Sequence, residues 1–414
     1  MTDLTKKTGP GKLIVLGIQH MFAMFGATVL VPIITGLPVS VALFTAGVGT
    51  IMFFFITKRK VPVFLGSSFA FMTAILAAKD VTGDIAYATG GLIVAGALYL
   101  VLALLVKLFG ADRIKSFFPP LVTGSIIILI GLMLASVAIS NITATIEGVP
   151  VWQNWVVALI AVLVIMGIAV FTKGFIKMIP IIIGIVVAYL VALAFGMVNF
   201  ETIASPKWFA APAFFLPKFN WTAILIVAPV AIITFVEHIG DITANGSVVG
   251  KDFIKDPGLH RTLIGDGLAT MFAGLVGGPA NTTYSENTGV LAATGNYNPL
   301  SLVVAACFAV VMSFIGKFGG LISSIPGPVL GGVSIILFGM IASVGLRTLV
   351  ENKVDFKNPR NMMIAAVMLV PAIGGAVIPI SATSGMQLTG YALAAIVGII
   401  LNKVLPEKLG QTEK

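Results

Sequence analysis

Long apolar runs separated by short polar turns make up almost the whole chain. Because an α-helix needs about 20 apolar residues to cross the hydrocarbon core of a bilayer, the pattern predicts an all-α polytopic membrane protein with fourteen transmembrane segments. These segments are expected near residues 12–36, 38–57, 66–79, 89–109, 119–139, 154–172, 177–198, 221–240, 261–277, 286–295, 299–317, 325–346, 361–379 and 388–405. The third and the tenth are too short to span alone, and each follows a stretch rich in glycine, proline or polar residues, which predicts two broken helices.

One motif recurs about half a chain length later. The segment 120–131 aligns with the segment 328–339, and six of the twelve positions are identical, including one proline and two glycines. Two halves of seven segments each must have opposite orientations in the membrane, because seven is an odd number. An inverted repeat with broken helices at matching places is typical of secondary transporters with a site near the middle of the membrane.

The composition agrees with a membrane protein and narrows its chemistry. Charged residues make up 10% of the chain, whereas about a quarter of the residues of a soluble domain are charged. The net charge of +9 does not predict nucleic-acid binding, since Lys and Arg cluster in short loops, as topology signals do. The single Cys307 excludes an intramolecular disulfide. The sequence has no metal-ligand spacing and no nucleotide-binding motif, so no metal, cofactor or ATP hydrolysis is expected.

The basic residues predict the orientation of the chain. With the N-terminus in the cytoplasm, all 25 Lys and Arg residues fall in cytoplasmic segments except Lys79, Lys207, Lys218 and Lys317. A miscounted segment would reverse every later loop and destroy this separation. The pattern therefore predicts that both termini are cytoplasmic.

Two carboxylates lie where a carboxylate is costly. Glu237 ends the uncharged run 221–236, and Glu286 lies in a stretch interrupted by Gly, Asn, Thr and Ser between apolar segments. A carboxylate at the middle of a bilayer costs about 2.5 kcal/mol or more, so it needs a partner, a proton or a substrate. The leading hypothesis is a binding site within the membrane. The alternatives are an N-cap carboxylate that satisfies its own helix for Glu286 and a structural partner of a backbone break for Glu237.

Broken helices would place backbone donors beside these acids. The N-terminus of a half-helix carries free N–H groups and a partial positive charge of about +0.5. We expect Phe69 and Ser285, at the starts of the two half-helices, to offer such donors, and Glu237 and Glu286 to supply acceptors. This arrangement favours a flat, neutral ligand with alternating N–H and C=O groups, such as a nucleobase or another small cyclic amide.

Asp241 follows Glu237 by four residues, which places both acids on one helix face. Two nearby carboxylates in a low dielectric cannot both stay ionised cheaply, so Asp241 is a candidate proton acceptor. The alternative is a solvated carboxylate at the end of the helix. His238 points away from Glu237 and is expected to be structural, His20 to support the site from a buried position, and His260 to be solvated.

Five stretches of the chain form distinctive motifs, namely residues 19–32, 66–71, 237–240, 256–261 and 281–289, the last continuing to residue 294. Together these motifs resemble those of the uracil permeases of the nucleobase–ascorbate transporter family. The resemblance covers essentially the whole chain.

The resemblance implies a seven-plus-seven inverted-repeat fold with short β-strands and half-helices in segments 3 and 10. It implies a core domain formed by residues 12–110 and 221–320, and a gate domain formed by residues 111–220 and 321–405. It further implies proton-coupled uptake of uracil by alternating access across the inner membrane of a bacterium, with a homodimer embedded in the lipid bilayer.

The resemblance also implies roles for single residues. Glu237 and Glu286 match the carboxylates that read the base, and Phe69 and Ser285 match the backbone donors. Ala27, Tyr284 and Phe338 would line the pocket. Asp241, with Glu237, would carry the coupling proton.

The chain departs from the uracil pattern at three positions. Asp241 replaces a histidine and is common in purine-type relatives, Ser285 replaces a glycine, and Phe338 replaces a tyrosine, whereas Glu286 matches the uracil branch. A purine or xanthine:H⁺ symporter of the same fold is therefore the main alternative. Two further alternatives are an inorganic-anion exchanger, which two carboxylates would disfavour, and a membrane-embedded enzyme, for which no nucleophile or metal set is present.

Overall fold

The computed structural model describes residues 9–381 and 386–406. The predicted cytoplasmic termini fall within residues 1–8 and 407–414 and lie outside the described part of the chain. The helices of the first half are α1 (Pro10–Thr35), α2 (Val39–Ile56), α3 (Met72–Thr82), α4 (Ile85–Phe109), α5 (Ala111–Lys115), α6 (Pro120–Met133), α7 (Ala135–Thr143), α8 (Val151–Phe171), α9 (Pro180–Ala194) and α10 (Phe200–Ala204).

The second half has the same order of long and broken helices. Its helices are α11 (Trp221–Val227), α12 (Val230–Val249), α13 (Leu259–Val276), α14 (Ser285–Thr294), α15 (Leu300–Ser313), α16 (Gly316–Ser323), α17 (Gly327–Glu351), α18 (Pro359–Ile373) and α19 (Gly390–Val404). Each of the fourteen predicted segments overlaps a helix or a pair of consecutive helices. Within the described residues, seven helical stretches are long and apolar enough to cross a membrane by themselves.

Two short strands interrupt segments 3 and 10, as the resemblance implied. Strand β1 (Leu65–Ser67) pairs antiparallel with β2 (Asn281–Thr283), with Gly66 opposite Thr282. The half-helix α14 begins two residues after the end of β2, and the half-helix α3 begins at Met72, a short loop after the end of β1. The strand pair satisfies backbone groups that a broken helix would leave unpaired inside the membrane, and it brings the two half-helices together.

The repeated motif begins α6 and α17, and these two helices pack against each other. Glycines allow the backbones of α6 and α17 to approach each other closely. A methyl group on Gly131 would overlap the carbonyl oxygen of Phe338 and lie 2.6 Å from the nitrogen of Ala342, and one on Gly345 would lie 2.6 Å from the carbonyl oxygen of Gly124. Gly124 and Gly131 of α6 and Gly345 of α17 therefore set the distance between these two helices.

Gly131→Ala is expected to lower the midpoint of thermal unfolding in detergent, because the added methyl meets backbone atoms of α17 that cannot rotate away. Overpacking of this kind costs about 1–3 kcal/mol. Gly339→Ala on α17 is the matched control, since a methyl group there meets no atom within 4 Å. Equal midpoints for the two variants would contradict the packing role of Gly131.

The predicted ends of segments 8 and 11 differ from those in the structure. Segment 8 was expected to end near residue 240, but α12 continues to Val249. Glu237, Asp241 and Asn245 recur every fourth residue on one face of α12, and this face packs inward, so the helix stays in the protein although its hydropathy falls. Segment 11 was expected to be continuous to residue 317, but it breaks into α15 and α16.

Segments 13 and 14 are shorter than expected because a strand pair lies between them. Strand β3 (Val377–Ser381) pairs antiparallel with β4 (Met386–Thr389). Gly374 and Gly375 end α18, and Gly375 has a φ of +73°. The β-branched Val377 and Ile378 that follow favour an extended chain, which a hydropathy criterion alone does not distinguish from a helix.

Candidate functional site

The structure brings the two predicted carboxylates together. Glu237 lies in the middle of α12, Glu286 is the second residue of the half-helix α14, and these helices pack against each other. The charged neighbours of Glu237 are Asp241, Glu286 and Asp266. The Oε2 atom of Glu237 is buried and has no hydrogen-bond partner among the described residues. A buried acceptor without a partner is costly, which is the property expected of a group that awaits a ligand or a proton.

Asp241 is tied to the strand crossing. Its side chain is buried, with 9% exposure, and the Thr283 hydroxyl donates a hydrogen bond of 3.0 Å to Asp241 Oδ2. Thr283 is the last residue of β2. The alternative of a solvated carboxylate at a helix end is therefore wrong. This bond joins α12 to the strand that leads into α14.

Phe69 lies at the junction between β1 and α3. The helix begins at Met72, three residues later than Phe69, and not at Phe69 as expected. The N–H of Ser68 is bonded to the carbonyl oxygen of Ala280 at 2.8 Å, whereas the N–H of Phe69 has no acceptor among the described residues. The Phe69 ring contacts Phe338 of α17 edge to face, with 5.9 Å between the ring centroids.

Ser285 begins α14, so its N–H has no partner within that helix. The two predicted backbone donors therefore precede or begin the two half-helices that the strand pair joins. Ala27, from α1, is buried with 1% exposure in the same apolar cluster as Phe69, Tyr284 and Phe338. The three predicted lining residues thus come from α1, from the residue before α14 and from α17.

Tyr284 supports the strand crossing with its hydroxyl group. The hydroxyl donates a hydrogen bond of 2.7 Å to the carbonyl oxygen of Ser67, and the ring lies against Gly66. Ser67 in turn donates from its own hydroxyl to the carbonyl oxygen of Thr28 at 2.8 Å. This chain of contacts links α1, β1 and the start of α14.

Gly66→Ala is expected to disturb the site, because the added methyl would overlap the Tyr284 ring and lie 2.8 Å from Thr28 Oγ1. The ring cannot move without loss of its hydrogen bond to Ser67. We expect a fall of about 1–3 kcal/mol in stability, read as a lower unfolding midpoint, together with weaker ligand binding. Gly289→Ala on α14 is the control, since a methyl there meets nothing within 4 Å. A Gly66→Ala protein indistinguishable from this control would refute the role of Gly66.

Asparagine amides hold the loop before β1. Asn245 of α12 and Asn287 of α14 both donate from Nδ2 to the carbonyl oxygen of Pro62, at 3.0 and 2.9 Å. Asn281 donates to the carbonyl oxygen of Thr45 at 2.9 Å. Each bond joins parts of the chain that are distant in sequence, so these amides fix the broken segments relative to the continuous helices.

The sequence reasoning missed one acid near the site. Asp266 of α13 is completely buried and accepts a hydrogen bond through Oδ2 from His238 at 2.8 Å. The signal that identified Glu237, a carboxylate within an apolar segment, applies equally to Asp266. His238 is buried and bonded at both ring nitrogens, as a structural histidine would be.

A membrane-embedded bundle in which two broken helices cross beside buried carboxylates is the architecture of a transport protein. The transmembrane domain of the cyanobacterial bicarbonate transporter BicA has the same fold, with a TM-score of 0.66 at 16% identity over 94% of this chain and 96% of that one. The murine anion transporter Slc26a9 in its inward-facing state gives a TM-score of 0.71 at 11% identity over 96% and 68% of the two chains. The fold is the seven-plus-seven inverted repeat.

The chain belongs to the permease family whose model matches residues 11–381. It is 47% identical to the uracil permease of Bacillus caldolyticus over 410 residues, which are 98% of this chain and 94% of that protein. It is 39% identical to the uracil permease of Escherichia coli K12 over 392 residues, with 94% and 90% covered. It is therefore a multi-pass membrane permease and not an enzyme.

Proposed function

We propose that this permease imports uracil together with a proton. The observation that carries the proposal is the convergence of Glu237, Glu286 and two half-helix starts at one strand crossing. The names and the identity of the relatives support uracil as the substrate.

The chemistry of uracil fits the groups at this crossing. Uracil offers ring N–H donors and carbonyl acceptors along its edge. Glu237 and Glu286 accept from the N–H groups, and the backbone N–H groups of Phe69 and Ser285 donate to the carbonyl oxygens. The apolar faces of the base pack against Ala27, Tyr284 and Phe338. Charge-assisted bonds to carboxylates are about twice as strong as neutral ones.

Asp241 carries the coupling proton in this proposal, with Glu237 as its neighbour. A proton that enters from outside neutralises one carboxylate of the pair, and uracil then binds to the other acids and the backbone donors. Transport of uncompensated charge through the membrane is costly, so the protonated, substrate-loaded state is the one that crosses. The hydrogen bond from Thr283 to Asp241 supports a link between protonation and the strand crossing.

Two groups of helices move against each other in this mechanism. The core domain comprises residues 12–110 and 221–320, and the gate domain comprises residues 111–220 and 321–405. The most extensive helix contacts support this division, since α4 with α13 and α2 with α15 pack inside the core, whereas α6 with α17 and α8 with α9 pack inside the gate. The contact between Phe69 and Phe338 joins the two domains at the site.

We further propose that the protein is a homodimer in the cytoplasmic membrane of a bacterium, with both termini in the cytoplasm. The distribution of basic side chains supports the orientation. Lys60 pairs with Asp256, and Arg261 donates to the carbonyl oxygen of Ile56 at the end of α2. Lys218, one of the residues expected outside, pairs with Asp84 at the start of α4.

The test is the thermal stabilisation of purified protein by uracil, xanthine and uric acid, at two pH values. A ligand at about 100 times its dissociation constant stabilises by about 2.7 kcal/mol, so we expect uracil alone to raise the unfolding midpoint. Stabilisation by xanthine would instead favour the purine or xanthine carrier that Asp241 suggests. No stabilisation by any of the three would contradict the proposed site.

A further inference from the structure

One buried hydroxyl group on α17 has no role in the mechanism above. Ser334 is completely buried, and its Oγ atom has no hydrogen-bond partner among the described residues. A hydroxyl group that is taken out of water without a partner costs free energy. This cost is offset if the hydroxyl binds a group that is not part of the protein.

The helix does not use this hydroxyl itself. Serine side chains inside helices commonly donate to the carbonyl oxygen four residues earlier. Ser343 of the same helix does so, since its hydroxyl donates to the carbonyl oxygen of Gly339 at 2.8 Å. The corresponding bond from Ser334 to the carbonyl oxygen of Leu330 is not formed, so the Ser334 hydroxyl is left available to another acceptor.

Ser334 lies on the face of α17 that is turned toward the candidate site. Four residues recur at the three- and four-residue spacing of one helix face, namely Leu330, Ser334, Leu337 and Phe338. The three apolar members belong to the buried cluster that also contains Ala27, Phe69 and Tyr284. The ring of Phe338 contacts the ring of Phe69, with 5.9 Å between the centroids. The hydroxyl is therefore the polar group of this face, one helical turn from the ring that meets the site.

The proposed ligand has an acceptor for such a donor. A carbonyl oxygen has two lone pairs and can accept two hydrogen bonds. In the arrangement proposed above, each ring carbonyl of uracil accepts one bond, from the backbone N–H of Phe69 or of Ser285. One lone pair on each oxygen remains, and a hydroxyl group on the other side of the base can donate to it.

We propose that the Ser334 hydroxyl donates a hydrogen bond to a ring carbonyl oxygen of the bound base and thereby contributes to the specificity of the site. The two carboxylates and the two backbone donors belong to the core domain, whereas Ser334 belongs to the gate domain. The bond therefore forms when the two domains enclose the base. This proposal rests on the nucleobase-binding function proposed above, to which it adds a specificity residue.

Ser334→Ala is expected to lower the affinity for uracil about 2- to 10-fold, as the loss of one neutral hydrogen bond does. Without ligand, its unfolding midpoint should equal or exceed that of the unaltered protein, because alanine removes an unpaired buried hydroxyl and favours the helix. Competition with labelled uracil and thermal unfolding of the full-length protein in detergent measure the two effects. Ser343→Ala is the control, since Ser343 is exposed on the same helix.

Two outcomes of this comparison would overturn the proposal. Uracil affinity of Ser334→Ala equal to that of the control would show that the hydroxyl does not touch the base. A ligand-free midpoint below that of the control would show that the hydroxyl stabilises the protein itself. A structural serine lowers the midpoint when it is removed, whereas a ligand-binding serine lowers the affinity alone.

Two analogues identify the oxygen that Ser334 contacts. 2-Thiouracil and 4-thiouracil each replace one carbonyl oxygen by sulfur, which is a weaker acceptor. Ser334→Ala should cost little affinity for the analogue with sulfur at the contacted position and the full factor for the other. A bond already lost through the ligand cannot be lost again through the protein. An equal loss for uracil and both analogues would overturn the proposal, because the loss would then come from the shape of the pocket.

The result is separable from the proposed function. If xanthine and not uracil stabilises the unaltered protein, the uracil assignment fails, and the affinity comparison is made with xanthine, which also has two ring carbonyl oxygens. A lower xanthine affinity in Ser334→Ala would then support the contact, and an unchanged one would overturn it. Equal uracil affinity of the unaltered protein and Ser334→Ala would leave the function in place and overturn only the contact.

Discussion

Glu237→Gln is expected to weaken uracil binding by about 10- to 150-fold. A hydrogen bond to a charged group contributes about 1.5–3 kcal/mol, and each 1.4 kcal/mol is about tenfold in affinity. Glutamine has nearly the same shape as glutamate, but half of its amide donates where the carboxylate accepts. The loss is expected to be large because Glu237 Oε2 is buried and unpartnered among the described residues, so no neighbour can take over its role.

Equilibrium binding of labelled uracil to purified protein measures this effect. Glu147→Gln is the matched control, since Glu147 is exposed in the loop before α8. The substitution also removes one of several mutually close acids, so the variant is expected to fold and to unfold at an unchanged or higher temperature. Uracil affinity equal to that of the control would remove Glu237 from the site.

Asp241→Asn is expected to keep uracil binding and to abolish accumulation driven by a pH gradient. One coupled proton makes each pH unit of gradient worth about 1.4 kcal/mol, which is about a tenfold accumulation ratio. The variant should let uracil equilibrate, so that the ratio of its inside to its outside concentration is about one. Uptake by the unaltered protein requires a protonated acid, so the rate of uptake falls as the outside pH rises. Uptake by the variant should not depend on pH.

Proteoliposomes with an imposed pH gradient measure the accumulation, and counterflow of labelled uracil without a gradient measures the remaining exchange. Asp112→Asn, in the exposed helix α5, is the control for the loss of an acidic side chain. Asparagine can still accept from the hydroxyl of Thr283, so the strand crossing should survive. An unaltered accumulation ratio in Asp241→Asn would refute the assignment of the coupling proton to this residue.

Most of the fold follows from local properties of the sequence. The positions of the continuous helices depend on runs of apolar residues, and the breaks in segments 3 and 10 depend on glycines, prolines and polar residues within a few positions of each other. The errors arose where this local signal was ambiguous. The face of α12 that carries Glu237, Asp241 and Asn245 lowers its hydropathy, and the apolar chain after Gly375 can form either a strand or a helix.

The candidate site was predicted only in part. Glu237 and Glu286 were predicted because a charge inside an apolar segment is anomalous by itself, and Phe69 and Ser285 because they begin the expected half-helices. The family resemblance added Ala27, Tyr284 and Phe338. Asp266 was missed, although it gives the same anomalous signal, because no motif drew attention to it. Its contact with His238 joins residues 28 positions apart, and nothing in the local pattern indicates it.

The sequence alone therefore determined the membrane class, the helices, the two breaks and the acids within them, because each follows from the free energy of placing nearby residues in a bilayer. Only the tertiary structure decided that Ser67 lies opposite Asn281, that the Tyr284 hydroxyl reaches Ser67, and that Phe69 meets Phe338. These contacts join residues separated by more than 200 positions. They depend on how whole helices pack, and close packing is a property of shapes that meet only in the folded chain.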